Sequence, residues 1–286
     1  MVQFRKLTII VSATMILTIF VTVACTQQPV EAVEIPVDEV QIPVEDEKES
    51  IQDGKEPVEE SNEPVYYTGK PVETIFNFET GTQGWKGGFS DLPVNHEEIG
   101  YDLFFGYSHV PIEGVKSFGL MISGNNHSDD LFMFVTRLLD FRDGLTSNTA
   151  YTVQLSFDFA TNIPPAMMGI GGSPGESVYI KAGVVNIEPK SIEDIADAGM
   201  YRMNIDIGSQ SNSGNDMIVV GDAAKVEGSG QYDESFQYKH FGQEFQVVTS
   251  KNGELWVIIG TDSGFEGISE FYIDNISISL TAPANQ

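Results

Sequence analysis

The chain has 286 residues, with 42 Asp and Glu against 15 Lys and Arg, four His, one Cys and a formal net charge of −27. That balance excludes a nucleic-acid-binding surface, which must meet phosphates with Lys and Arg. The single cysteine excludes an internal disulfide framework and any Cys-rich metal site. At 41% hydrophobic and 10% aromatic residues, the chain has the means to build a core.

Arg5 and Lys6 precede an uncharged, mostly apolar run from Leu7 to Ala24 that ends at Cys25. A basic start followed by an apolar stretch and a small residue is the layout of a secretory signal, here over residues 1–24. With the chain's only cysteine directly after Val21-Thr22-Val23-Ala24, the segment resembles the bacterial lipoprotein signal. The resemblance implies lipidation of Cys25, which becomes the new N-terminus. Thr22 stands where that family prefers Leu. An uncleaved apolar anchor is the other reading. Both predict export and tethering of residue 26 onward at a cell-envelope membrane, where lipid chains hold by burying methylenes at about 0.8 kcal/mol each.

Thirteen acids and three lysines lie between Thr26 and Lys70, with Pro29, Pro36, Pro43, Pro57 and Pro64 spaced among them. Proline blocks helices and ladders and like charges repel, so residues 25–70 are expected to form an extended, unfolded linker. This linker carries ten of the negative charges. Residues 71–286 carry a net −19, so the folded part is acidic in its own right.

From residue 71 the strand signals recur. They run over Thr74–Phe78, Phe118–Ser123, Leu131–Phe134, Tyr151–Thr161, Ser177–Asn186 and Met217–Val220, then Glu244–Thr249, Glu254–Thr261 and Glu270–Leu280. Tyr151, Val153, Leu155, Phe157 and Phe159 alternate onto one face. The alternation of the last run breaks at Asp274-Asn275, which predicts a bulge. One short helix is expected over Ser191–Ala198, with Ser191 and Asp194 as its cap. Many short strands joined by Gly- and Asn-rich turns predict an all-β antiparallel sandwich over 71–286.

The ends of this stretch are more specific. Phe76-Asn77-Phe78-Glu79 and Gly84-Trp85 open it, and Phe271-Tyr272-Ile273-Asp274-Asn275 leads into its last strand. That pairing resembles the jelly-roll domains of galactose-binding-like and carbohydrate-binding modules. The resemblance implies first and last strands lying side by side and a structural calcium held by Glu79 and Asp274. The domain is longer than such modules, with a large middle around Gly169–Gly230. An acidic exported protein supplies the hard oxygens that calcium needs, and a cation would relieve self-repulsion. The same two acids also read as solvated or turn-capping carboxylates.

Four further features carry chemistry. Asn125-Asn126-His127-Ser128-Asp129-Asp130 is a polar loop whose Asn126, His127, Asp129 and Asp130 suit a sugar's hydroxyls, or an Asx-rich turn. Among the aromatics from Trp85 to Tyr107, Trp85 and Tyr101 are the candidate sugar platforms, since each has a polar handle, although such rings in a sandwich are mostly core. Gly171-Gly172-Ser173-Pro174-Gly175 has the spacing of a hydrolase nucleophile elbow, but a strand rather than a helix follows it. His96, His109, His127 and His240 are too scattered for a zinc motif. The expectation is therefore a tethered, non-catalytic binding module for carbohydrate or another cell-surface polymer. The alternatives are an adhesive envelope protein that binds a protein partner and a hydrolase.

Overall fold

A computed structural model describes residues 71–226 and 233–282. The expected signal over 1–24, the lipid-bearing Cys25 and the linker 25–70 lie outside the described residues. Two antiparallel sheets stack face to face. One contains β1 (Val72–Phe76), β4 (Phe104–His109), β5 (Phe118–Asn125), β7 (Ala150–Thr161), β14 (Gln237–Val248) and β16 (Ile268–Thr281), in the order β14-β7-β16-β5-β4 with β1 also paired to β16. The other contains β2 (Lys86–Ser90), β6 (Leu131–Leu139), β8 (Val178–Val185), β13 (Ile218–Asp222) and β15 (Leu255–Ser263), in the order β13-β8-β15-β6-β2. Small ladders are made by β3 (Leu92–Pro93), β9 (Ser191–Glu193) and β10 (Met200–Met203), and by β11 (Gly208–Ser209) with β12 (Asn212–Ser213). The fold is the expected jelly-roll-like β-sandwich. Its first and last described strands pair from Val72↔Leu280 to Phe76↔Ile276.

Alternation builds the central core. Tyr151, Val153, Leu155, Phe157 and Phe159 of β7 face Val178, Ile180, Val257 and Ile259 across the sandwich, with Trp85 and Phe271 among them. The run Leu131-Phe-Met-Phe-Val135 behaves differently, being apolar at every position and buried at every position. Leu131, Met133 and Val135 enter the central core, while Phe132 and Phe134 point out of the sandwich. A strand buried on both faces needs a second cover, and residues 186–217 provide it. Ile205, Ile207 and Met217 from this segment pack on Phe132, Phe134 and Ile258. The long middle region thus closes the outer face of the five-stranded sheet.

A charge sits inside this second layer. Lys181 of β8 is fully buried, and Asp262 of β15 is 2% exposed. The Lys181 ammonium donates to Asp262 Oδ2 at 2.8 Å, to the Ile207 carbonyl at 2.8 Å and to the Asn212 carbonyl at 3.2 Å. Three acceptors for three N–H groups is what a dry ammonium requires. Two of them belong to the covering segment, so the lysine ties that segment to the sheet. The Gln210 N–H also donates to Asp262 Oδ2, at 2.8 Å.

The expected helix over Ser191–Ala198 is absent. Ser191–Glu193 is a strand paired with β10, and the Asp194 carboxylate accepts from the Ala196 N–H as an Asx turn. The backbone pairing of Ser191–Glu193 with β10 takes the place of the helical hydrogen bonds that a weak cap would have started. The short helix present is α1 (His96–Ile99), and a 3₁₀ turn covers Phe141–Asp143. The bulge expected in the last strand is present, with a register shift between Asp274 and Ser277 and Asn275 at φ 49°. Replacing Asp262 by Ala leaves the buried ammonium without its counter-charge. We expect a loss of about 3–5 kcal/mol, read from the urea unfolding midpoint; a loss below about 1 kcal/mol would contradict the assigned role.

Candidate functional site

Loops from both sheets meet at one end of the sandwich, where β2, β5, β8 and β15 reach their ends or starts. A groove of about 260 Å³ opens there, lined by Phe89, Leu92, His96, Leu103, Ser191 and Tyr201. Its elements come from distant parts of the chain. Phe89 is the penultimate residue of β2, His96 begins α1, and Tyr201 pairs with Leu92 across the small β3–β10 ladder. The backbone seats Tyr201 firmly, its carbonyl accepting from the Asp91 N–H at 2.9 Å.

Apolar side chains form the floor, and two accessible polar groups are uncommitted. Among the described residues no hydrogen bond engages the His96 ring or the Tyr201 hydroxyl, while Ser191 Oγ is buried without a partner. The His96 ring lies edge-on to Tyr201 at 6.2 Å and to Tyr101 at 6.5 Å. An apolar, aromatic-sided groove with free hydroxyl and imidazole groups suits a ligand that is apolar on its faces and hydroxylated at its rim.

The residues singled out from sequence fall around this groove in different roles. Trp85 and Tyr101 are 2% and 1% exposed and belong to the central core, so neither is a platform. A polar handle on an aromatic ring does not decide its exposure. Asn126 is buried as a clamp: its Nδ2 donates to the carbonyls of Ser263 and Phe265, and its Oδ1 accepts from Ser128. His127 is exposed, packs on Tyr101 at 5.3 Å and has Nε2 3.1 Å from the Gly100 carbonyl. Asp129 is exposed at φ 58°, and its carbonyl accepts from Gln210. Asp130 joins an ion cluster. Sequence reading missed Tyr201 and Ser191, which lie in or beside the segment expected to be helical, and left His96 among scattered histidines.

Arg202 is the hub of that cluster. Its Nη1 donates to Asp91 Oδ1 and Asp130 Oδ2, both at 2.9 Å, and its Nη2 to Asp197 at 3.1 Å. Asp91 and Asp130, from two other segments, therefore pin β10, and with it Tyr201, to the sandwich, while Asp197 ties Arg202 to its own β9–β10 turn. Burial pushes the Asp91 carboxyl up to about 6, and repulsion from Asp130 adds to this, against the lowering pull of Arg202. Burial raises Asp130 as well.

Glu79 and Asp274 both approach the start of β5. Glu79 Oε1 accepts from the Phe118 N–H at 3.3 Å, and Asp274 lies beside Gly119. The Asp274 carboxylate is fully buried and accepts from the Tyr238 hydroxyl and the Asn275 N–H, each at 2.7 Å. Burial raises its pKa. No group of three or more His, Cys, Asp or Glu placed to hold a metal ion occurs among the described residues. Ser173 Oγ donates to Glu176 and accepts from the N–H groups of Gly175 and Glu176. No histidine contacts it, and the Gly171–Gly175 stretch is a self-bonded loop ahead of β8.

No family model and no curated protein matches the chain. Among solved structures it is similar to the CBM22-1–GH10 modules of Clostridium thermocellum endo-1,4-β-D-xylanase 10B complexed with xylohexaose. That match has 13% identity and a TM-score of 0.36, and it covers 76% of this chain but 29% of that one. The C-terminal family 22 carbohydrate-binding module of Clostridium thermocellum Xyn10B is similar at 14% identity and TM-score 0.35, over 77% of this chain and 97% of that one. TmCBM61, in complex with β-1,4-galactotriose, is similar at 9% identity and TM-score 0.33, over 71% and 92%.

The folded state holds the Asp91 proton more tightly than the unfolded chain does. This group therefore stabilises most below pH ~4 and loses that contribution as pH rises through about 6. Asp91→Asn should remove a stability gain of about 1 kcal/mol between pH 7 and pH 5. Urea midpoints at the two pH values check this, and an undiminished gain in the variant would refute it. For the calcium pair, Asp158 lies across the ladder from Asp274, but among the described residues no three acids are placed to hold one ion. A chelator should leave the melting midpoint unchanged, and a fall would restore a cation to that place.

Proposed function

We propose that the sandwich is a non-catalytic binding module for a neutral carbohydrate, seated in the groove between Phe89, His96 and Tyr201. The observation that carries this reading is the grouping of an apolar floor with the uncommitted His96 ring and Tyr201 hydroxyl at one loop end. Sugar rings present C–H faces to aromatic rings and hydroxyls to such donors and acceptors. The net charge of −19 over residues 71–286 favours a neutral ligand over an anionic one. The Ser173 loop lends no support to a hydrolase, since a nucleophilic serine needs a base within hydrogen-bond reach.

The placement of the groove fits an anchored protein. β1 begins opposite Leu280, near the end of β16, whereas the groove lies at the end where β16 starts. A fourteen-residue strand spans roughly 45 Å. With the chain lipidated at Cys25 and spaced by the acidic linker, the groove is carried at the end of the domain opposite its attachment.

The test is binding of the full chain to an array of neutral and charged glycans, followed by titration of the best ligand. Tyr201→Ala should weaken that ligand about tenfold, by loss of one aromatic contact of roughly 1.4 kcal/mol. Equal binding by the variant, or no response to any neutral glycan, would overturn the proposal.

A further inference from the structure

We infer that the protein associates with a second copy of itself through the free edge of β14, giving a sheet continuous across a two-fold axis at Gly242. An uncovered strand edge templates pairing with another chain, and soluble proteins blunt it by keeping the strand short, bulged, charged or proline-bearing. The other outer strands obey this rule. β1, β2 and β13 are five residues long and β4 is six, and β13 is also broken by a register shift between Val219 and Gly221. β14 does not obey it. Its twelve residues run in unbroken register from Gln237↔Thr161 to Val248↔Ala150, with no proline, and β7 is its only paired strand among the described residues. The two charged side chains of β14 are engaged within the chain, the Lys239 ammonium by Asp222 and the Ala224 carbonyl and the Glu244 carboxylate by Gln154 and Gln246.

Gly242 is the second observation. Glycine weakens a strand interior and marks a place where another backbone comes close. Nothing among the described residues requires it. Its φ is not positive, and a Cβ there would meet only ordinary contacts, at 3.9 Å from the Leu155 carbonyl oxygen and from Ser156. An antiparallel pairing of two β14 strands centred on Gly242 sets His240 opposite Glu244 and Tyr238 opposite Gln246, and it ends before Val248, whose carbonyl accepts from Asn186. Both rows are complementary: imidazole with carboxylate and aromatic ring with amide. Shifting the axis to Phe241 or Gln243 separates His240 from Glu244. A self-complementary edge of this kind is what an isologous dimer needs.

The axis gives a direct test in the full chain. Two Gly242 residues facing across an antiparallel ladder have Cα atoms about 4.5–5.5 Å apart, within disulfide reach. Under mild oxidation Gly242→Cys should form at least fivefold more disulfide-linked dimer than the unaltered chain, or than Ser209→Cys on β11. The double variant His240→Cys, Glu244→Cys should cross-link where neither single variant does, which holds the proposal to account even if Gly242→Cys folds poorly. Cross-linking no greater than the Ser209→Cys level, or cross-links only to a different protein, would overturn the proposal.

Discussion

Burying an ammonium in a sandwich wall costs several kcal/mol unless a counter-charge and enough oxygens surround it. Lys181 is accepted inside this fold because Asp262 supplies the charge and the carbonyls of Ile207 and Asn212 supply the remaining acceptors. Much of the architecture follows from that requirement. The two carbonyls can be delivered only if residues 186–217 lie on the outer face of the five-stranded sheet. Once there, Ile205, Ile207 and Met217 cover Phe132, Phe134 and Ile258. The same segment contributes β9 and β10, hence Ser191 and Tyr201 of the groove and the Arg202 that three aspartates hold.

The electrostatics divide the molecule into two working regions. At the loop end, one arginine collects Asp91, Asp130 and Asp197 and converts repelling acids into a clamp across three segments. On the outer face of the six-stranded sheet, acids are answered by polar neighbours on adjacent strands. Asp158 meets His240 and Asn275, Gln154 meets Glu244, and Asp274 meets Tyr238. The high negative charge of the domain is therefore locally compensated where it is buried and solvated where it is not.

The fold was legible where one face of a strand meets water. The alternation of β7 and the broken alternation at Asp274-Asn275 both gave the right element, because side-chain period reports one-sided burial directly. β6 was legible as a strand over Leu131–Phe134, but nothing local says that its second face is covered or which segment covers it. β14 was seen only from Glu244, since Gln237 to Gly242 mixes Lys, His and Gly in a strand stabilised by its pairing with β7 rather than by propensity. The site was less legible. Asn126, His127, Asp129 and Asp130 were read as a polar loop suited to a sugar's hydroxyls, yet Asn126 proved a clamp and Asp130 an ion-pair partner. Trp85 and Tyr101 were drawn to the core by their size. Tyr201 and Ser191 gain their meaning only from a ladder with β3 more than a hundred residues earlier, a contact that no local pattern encodes.

The claim that one buried lysine holds the covering segment, and through it the groove, is tested most directly by hydrogen exchange on Lys181→Met in the full chain. Amides between Asn204 and Met217 should lose protection by at least tenfold, and Arg202 and Tyr201 should follow, while β7 and β16 keep theirs. Protection lost evenly over the whole domain, or unchanged between Asn204 and Met217, would contradict it.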